Sequence, residues 1–98
     1  MSTASDPSVR TATVTLRYWA AARSAAGTDS DTVGVSGPTP LSELLRTAKA
    51  THPDRRFADV LSCCSLMVGD RPVTTDDPES VLVQPGQSVE FLPPFAGG

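Results

Sequence analysis

The residues with the clearest capacity for chemistry stand at the end of the chain, in the run Pro93-Pro94-Phe95-Ala96-Gly97-Gly98. Two consecutive glycines carry no side chains, so Gly97-Gly98 can thread a channel too narrow for any other residue and take whatever backbone angles it requires. Six residues at ~3.3 Å each reach on the order of 20 Å, enough to carry a terminal carboxylate from a folded domain into a partner's active site. Pro93-Pro94 would hold the base of such a tail extended and away from a sheet. A carboxylate activated by adenylation is a good acyl donor, and an achiral glycine cannot racemise while it is activated. The plain alternative is that small terminal residues simply fray, and the tail taken alone leaves both readings open.

Other chemistry finds little support. His52 is the only histidine and the two cysteines, Cys63 and Cys64, are neighbours, so the chain cannot assemble the four ligands of a zinc site and no metal is expected. A Cys-His nucleophilic pair lacks any partner signal, and His52, at a predicted helix end, reads as a surface residue. A bridge between adjacent cysteines closes no useful loop and needs strained geometry, so both are expected as reduced thiols, small residues leading into a strand. Asp76, Asp77 and Glu79 lack calcium-loop spacing and read as a solvated loop. Neither Gly34 nor Gly37 belongs to a phosphate-binding glycine pattern.

Charge and size narrow the classes further. A formal net charge of -3 offers no basic footprint for a phosphate backbone, so no nucleic acid is expected as a partner. No apolar run approaches the ~20 residues that cross a bilayer, and the first residues lack the basic and apolar regions of a secretory signal. No membrane association and a cytoplasmic location are the resulting expectations. Ninety-eight residues, 39% hydrophobic and 19% charged, suit one globular domain with one core. Residues 1–10 hold little that is apolar and read as a flexible lead-in, residues 11–94 as the domain, and residues 95–98 as a flexible tail.

The elements that must position the tail follow from periodicity. In residues 13–19, Val14, Leu16 and Tyr18 alternate with Thr13, Thr15 and Arg17, the pattern of a half-buried strand. An Ala-rich segment, residues 20–26, closed by Gly27, predicts a short helix. Residues 32–36 form a weaker strand, ended by Gly37-Pro38. The best helix spans about residues 40–51, with Thr39 as N-cap and Pro40 at the first helical position. Its apolar stripe is Leu41, Leu44, Leu45 and Ala48. Residues 57–61 predict a further helical turn over one end of the core. Leu66 to Val68, Gly69-Asp70 and Arg71 to Val73 predict a hairpin. Residues 81–83 form a short apolar piece, Pro85-Gly86 a turn, and residues 89–92 a last strand that Pro93-Pro94 ends. The expected class is α+β, a mixed sheet of about five short strands with one main helix packed across it.

On these residues the chain resembles a known family, the ubiquitin-like sulfur carriers, and among them the small subunits of molybdopterin synthase. The resemblance covers roughly residues 14–98. It rests on residues 14–20, on Ala22-Arg23 with Gly27, on residues 40–45, and most specifically on Gly86-Gln87-Ser88-Val89-Glu90-Phe91-Leu92-Pro93-Pro94 followed by Gly97-Gly98. It implies a β-grasp fold and a protein that binds no cofactor and is not catalytic alone. It also implies that a ubiquitin-activating-like adenylyltransferase consumes ATP to adenylate the Gly98 carboxylate, that a sulfur donor converts it to a thiocarboxylate, and that the tail then enters the large synthase subunit. There the sulfur would pass to a cyclic pyranopterin precursor in molybdenum cofactor biosynthesis, within a heterotetramer. The family's apolar patch for partners maps onto Trp19, Pro72 and Leu92. Two departures stand out: the family commonly has asparagine where this chain has Gly69, and Phe95-Ala96 replaces a β-branched residue followed by a small one. Related carriers serving thiamine or cysteine synthesis, and ubiquitin-like modifiers joined to target lysines, share the tail and are the alternatives.

Overall fold

A computed structural model describes residues 12–74 and 77–94. The lead-in assigned to residues 1–10 and the tail assigned to residues 95–98 lie outside the described residues, as does Asp76. The first strand, β1, spans Thr13–Tyr18 and buries Val14, Leu16 and Tyr18 as its alternation predicts. A short helix, α1, follows at Ala20–Ala26 and ends at Gly27. Strand β2 is Ser30–Gly34, two residues earlier than the sequence suggests. The pairing of Thr13 with Gly34 and Arg17 with Ser30 in an antiparallel hairpin fixes that register, which puts Val33 opposite buried Val14 and turns it toward the core.

The main helix, α2, runs Leu41–Thr51 and buries Leu41, Leu44 and Ala48, with Leu45 half-buried against the same core. Its start corrects the expected cap. Thr39–Pro40 is a two-residue strand, β3, that pairs with β6, Leu82–Val83. Thr39 is therefore held in the ladder, its hydroxyl donating to the Gly37 carbonyl at 2.9 Å, and Pro40 stands before the helix in an extended conformation. One of the orphan N–H groups of the first turn is satisfied across this contact instead of by a side chain: Leu41 donates to the Val81 carbonyl at 2.8 Å.

A third helix, α3, covers Arg55–Cys63, longer than the expected turn, because the Asp54 carboxylate caps it through the Arg56 N–H at 2.8 Å. Phe57 and Leu61, four residues apart, bury its inner face. Cys63 is thus the last helical residue and Cys64 its C-cap; neither enters the strand. Strand β4 begins at Ser65 and runs to Val68, and β5 is Arg71–Pro72. A 3-10 turn at Pro78–Ser80 is capped by Asp77, whose carboxylate accepts from the Glu79 N–H at 3.1 Å. That gives the acidic loop a local structural role.

The last strand, β7, is Ser88–Leu92. Gln84 to Gln87 make the turn before it, closed by the Gln87 N–H on the Gln84 carbonyl at 3.0 Å, with Gly86 at φ 91°. A proline followed by a residue at positive φ is the type II pattern, which favours glycine in the second place. The five-stranded order is β2-β1-β7-β4-β5, with β7 parallel to β1 and antiparallel to β4. The architecture is the expected α+β one, with the C-terminal strand at the centre of a mixed sheet and α2 across one face.

Tyr18, Asp31 and His52 correct the reading of His52 as a surface residue. The Asp31 carboxylate accepts from the Tyr18 hydroxyl at 2.8 Å and lies 2.6 Å from His52 Nε2. The Tyr18 ring sits edge-on to His52 and Phe57 and 5.4 Å from Phe91. Burial, with Asp31 second, pushes the Tyr18 phenol well above its ordinary range, so it remains a neutral donor. Asp31→Ala leaves that buried hydroxyl without its acceptor and should cost about 1–3 kcal/mol in a thermal or urea melt. In the Tyr18→Phe background the same change should cost clearly less, because the orphaned hydroxyl is gone.

Candidate functional site

The candidate site is the end of β7 together with the sheet face that α2 leaves open. Successive residues of β7 point to opposite faces: Val89 and Phe91 are buried under the helices, whereas Ser88, Glu90 and Leu92 face outward. Register extends that outward face. Glu90 lies opposite Met67 on β4 and Arg17 on β1, and Met67 lies opposite Pro72 on β5. Trp19, just past β1, donates its Nε1–H to Glu90 Oε1 at 3.0 Å, which lays the indole on the same face. The three residues expected as an apolar patch, Trp19, Pro72 and Leu92, thus share one surface, with Met67 between them.

Local backbone structure ties this surface to the tail. The Trp19 N–H donates to the Phe91 carbonyl at 3.2 Å, so β1 and β7 finish side by side. Ala20 then turns the chain into α1 at φ 49°, a left-handed conformation in a residue other than glycine. On the other flank Leu92 pairs with Ser65. Half-buried Pro93 and exposed Pro94 follow β7, and neither has an N–H with which to extend a ladder. Phe95, Ala96, Gly97 and Gly98 lie outside the described residues. The described structure therefore positions the base of the tail at the end of a central strand, beside Trp19.

Gly69, one of the departures from the family pattern, turns β4 into β5 at φ 63°. A Cβ built there would meet only the end of the Gln87 side chain, with Nε2 at 3.2 Å. Asparagine is the residue that best tolerates this conformation after glycine. Gly69→Asn should therefore change the unfolding free energy by less than about 1 kcal/mol, and Gly69→Val should cost more than about 1 kcal/mol, on urea titration.

Cys63 is exposed and Cys64 half-buried, both free thiols. The Cys64 thiol donates to the Val60 carbonyl at 3.3 Å. Burial, followed by the neighbouring Cys63, pushes Cys64 up to about 11 from its ordinary 9.0. The folded state holds that proton more tightly, so the stability it contributes is whole below about pH 9 and is lost as pH rises toward about 11. Urea midpoints should fall across that window, and Cys64→Ala should flatten the fall. Among the described residues no group of three or more His, Cys, Asp or Glu is arranged to hold a metal ion, and no helix is long and apolar enough to cross a membrane.

Comparison with known proteins places this geometry. The model of the ThiS family matches residues 16–98, most of the chain. The chain belongs to the ThiS family. A relative in Emericella nidulans, a molybdopterin synthase sulfur carrier subunit, is 32% identical over 92 residues, covering 88% of this chain and 98% of its own. The fold matches small archaeal modifier protein 1 of Haloferax volcanii with a TM-score of 0.68 at 15% identity, over 85% of this chain and 98% of that one. It also matches a complex of subunits 1 and 2 of the molybdopterin-converting factor of Helicobacter pylori, with a TM-score of 0.59 at 17% identity, over 88% of this chain and 99% of that one. The fold is accordingly the ubiquitin-like β-grasp that the family resemblance implies.

Periodicity marked the inward faces of β1 and β7 correctly, but it set β2 two residues late and missed the short strand Thr39–Pro40. It gave no sign that Arg17 and Glu90 flank Trp19, because that adjacency depends on a parallel register between segments some seventy residues apart. The same holds for Asp31 and His52, which meet only once the β1–β2 hairpin and α2 are in place.

Proposed function

We propose that this protein is the sulfur carrier subunit of a molybdopterin synthase, with the Gly98 carboxyl as its working group. The observation that carries the reading is the central, parallel β7, which delivers Pro93-Pro94 from the sheet beside an exposed Trp19, ahead of Gly97-Gly98. The family match and the relative's assigned role support it. In this reading the protein catalyses nothing alone and binds no cofactor.

A ubiquitin-activating-like adenylyltransferase joins the Gly98 carboxylate to the AMP portion of ATP and releases pyrophosphate. Hydrosulfide released by a sulfur donor then attacks the acyl carbon, AMP leaves with the bonding electrons, and a thiocarboxylate remains. The tail carries this into the active site of the large synthase subunit, where its sulfur bonds to a carbon of the cyclic pyranopterin precursor and water cleaves the acyl–sulfur bond, returning Gly98 to a carboxylate. The domain's part is positional: a rigid sheet presents the tail and an apolar face for both partners.

Intact mass after incubation with ATP, the adenylyltransferase and a sulfur source tests the reading. A gain equal to the difference between sulfur and oxygen supports it. No gain, with an enzyme that charges another carrier under the same conditions, overturns it. Isopeptide-linked adducts in cell extracts would instead indicate a protein modifier.

A further inference from the structure

Arg17 lies opposite Glu90 in the parallel register of β1 and β7, the arrangement in which a cross-strand ion pair is expected. No such pair forms. The Glu90 carboxylate accepts from Trp19 Nε1–H at 3.0 Å, and the Arg17 guanidinium lies 5.4 Å from the centre of the Trp19 ring. Arg17 has no carboxylate within ion-pair distance among the described residues. Strand alternation makes it the only cation among the described sheet residues of the open face, on a chain whose net charge is -3.

The indole is held by Glu90 and flanked by Arg17, yet it remains 41% exposed. Much of its rotamer freedom is already spent, so a partner covering it loses little further entropy. A stacked guanidinium keeps its planar set of donors, which fits a carboxylate with two parallel hydrogen bonds. With Glu90 adjacent, a doubly charged phosphate would meet repulsion that a single carboxylate largely avoids.

We propose that Arg17 adds a carboxylate-reading position to the apolar patch of Trp19 and Leu92 that the family resemblance implies, so that a partner-protein segment docked there places an Asp or Glu carboxylate on Arg17. Glu90 is a positioning residue that orients the indole. The site stands at the root of the tail, so a segment docked there fixes the direction in which the tail enters its partner. The identity of the partners rests on the carrier function proposed above; the carboxylate specificity rests on the unmade Arg17–Glu90 pair.

The test is association of the full-length chain with the large synthase subunit and with the adenylyltransferase, at low and high salt, for the unaltered protein, Arg17→Lys and Arg17→Glu. Arg17→Glu should weaken binding to at least one partner on the order of tenfold, mostly through slower association, and flatten its salt dependence. Arg17→Lys should fall between, since it keeps the charge and loses the fork. Arg17 is exposed, so Arg17→Lys should melt like the unaltered protein, while Arg17→Glu, which sets like charges opposite Glu90, should melt only slightly lower and remain folded in the binding assay. Binding of Arg17→Glu to both partners within about twofold of the unaltered protein, at either salt, overturns the proposal. Self-association of the unaltered chain that Arg17→Glu abolishes also overturns it, by making a second copy the occupant. If the unaltered chain binds neither partner, the carrier function fails first and this inference falls with it.

Discussion

Phe91→Ala should lower the stability of the domain by about 3–5 kcal/mol, the cost of removing a large aromatic from a core that cannot close over the gap. Phe91 is fully buried in the central strand, with Tyr18 opposite it on β1 and Leu66 opposite it on β4. Its ring lies 5.4 Å from that of Tyr18, so the cavity would open where the sheet and the aromatic cluster of Tyr18, Phe57 and His52 meet. A domain of this size holds only about 5–15 kcal/mol in total, which brings the variant close to unfolding at physiological temperature. Leu92→Ala, one residue along and on the opposite face, should cost less than about 1 kcal/mol. Urea titrations of the two variants check the contrast. Equal costs would show that the core does not lie on the Phe91 side of β7.

That contrast between neighbours is what the sequence made legible. The alternation of Val89 and Phe91 with Glu90 and Leu92 marks two faces before any strand is paired, and the same period sorts Val14, Leu16 and Tyr18 from Thr15 and Arg17. The leucine stripe of α2 was equally plain, because its spacing is a property of one segment. Less legible were features made by two segments at once. Thr39 looks like an N-cap until β6 pairs with it, and the start of β2 is set by its hairpin with β1 more than by its own residues. His52, polar and at a helix end, reads as solvated until Asp31 and the Tyr18 ring close around it. The α3 helix is a different case: residues 57–61 read as a single turn, and the brevity of the apolar stripe hid its full length and the Asp54 cap. The tail offered a candidate for chemistry, because paired glycines after paired prolines bear on backbone and reach together, but residues 95–98 lie outside the described structure. The surroundings of its base were not legible, since Arg17, Trp19 and Glu90 meet only through the parallel register.

Under the proposed carrier function, removing Gly98 alone should abolish thiocarboxylate formation while leaving the denaturation curve of the domain unchanged within about 0.5 kcal/mol, because every described contact of the fold is kept. The sheet ends at Leu92, and Pro93 and Pro94 can donate no backbone hydrogen bond to it. Under that function, fold and reactive group should therefore be separable along the chain. Adenylation needs the acyl carbon at one position in the activating enzyme, and a tail shortened by a residue places its carboxylate roughly 3.3 Å short of that point. A displacement of this size costs far more than the factor of a hundred or so associated with an error of about 1 Å. The mass assay should accordingly show no sulfur-for-oxygen gain for the truncated chain, under conditions that charge the full chain completely. Circular dichroism melts of both proteins then decide the meaning of the loss. Superimposable melts place it in the tail, as the carrier function requires. A lowered melting temperature would mean that Gly98 contributes to the fold, and the separation of scaffold from reactive end would be wrong.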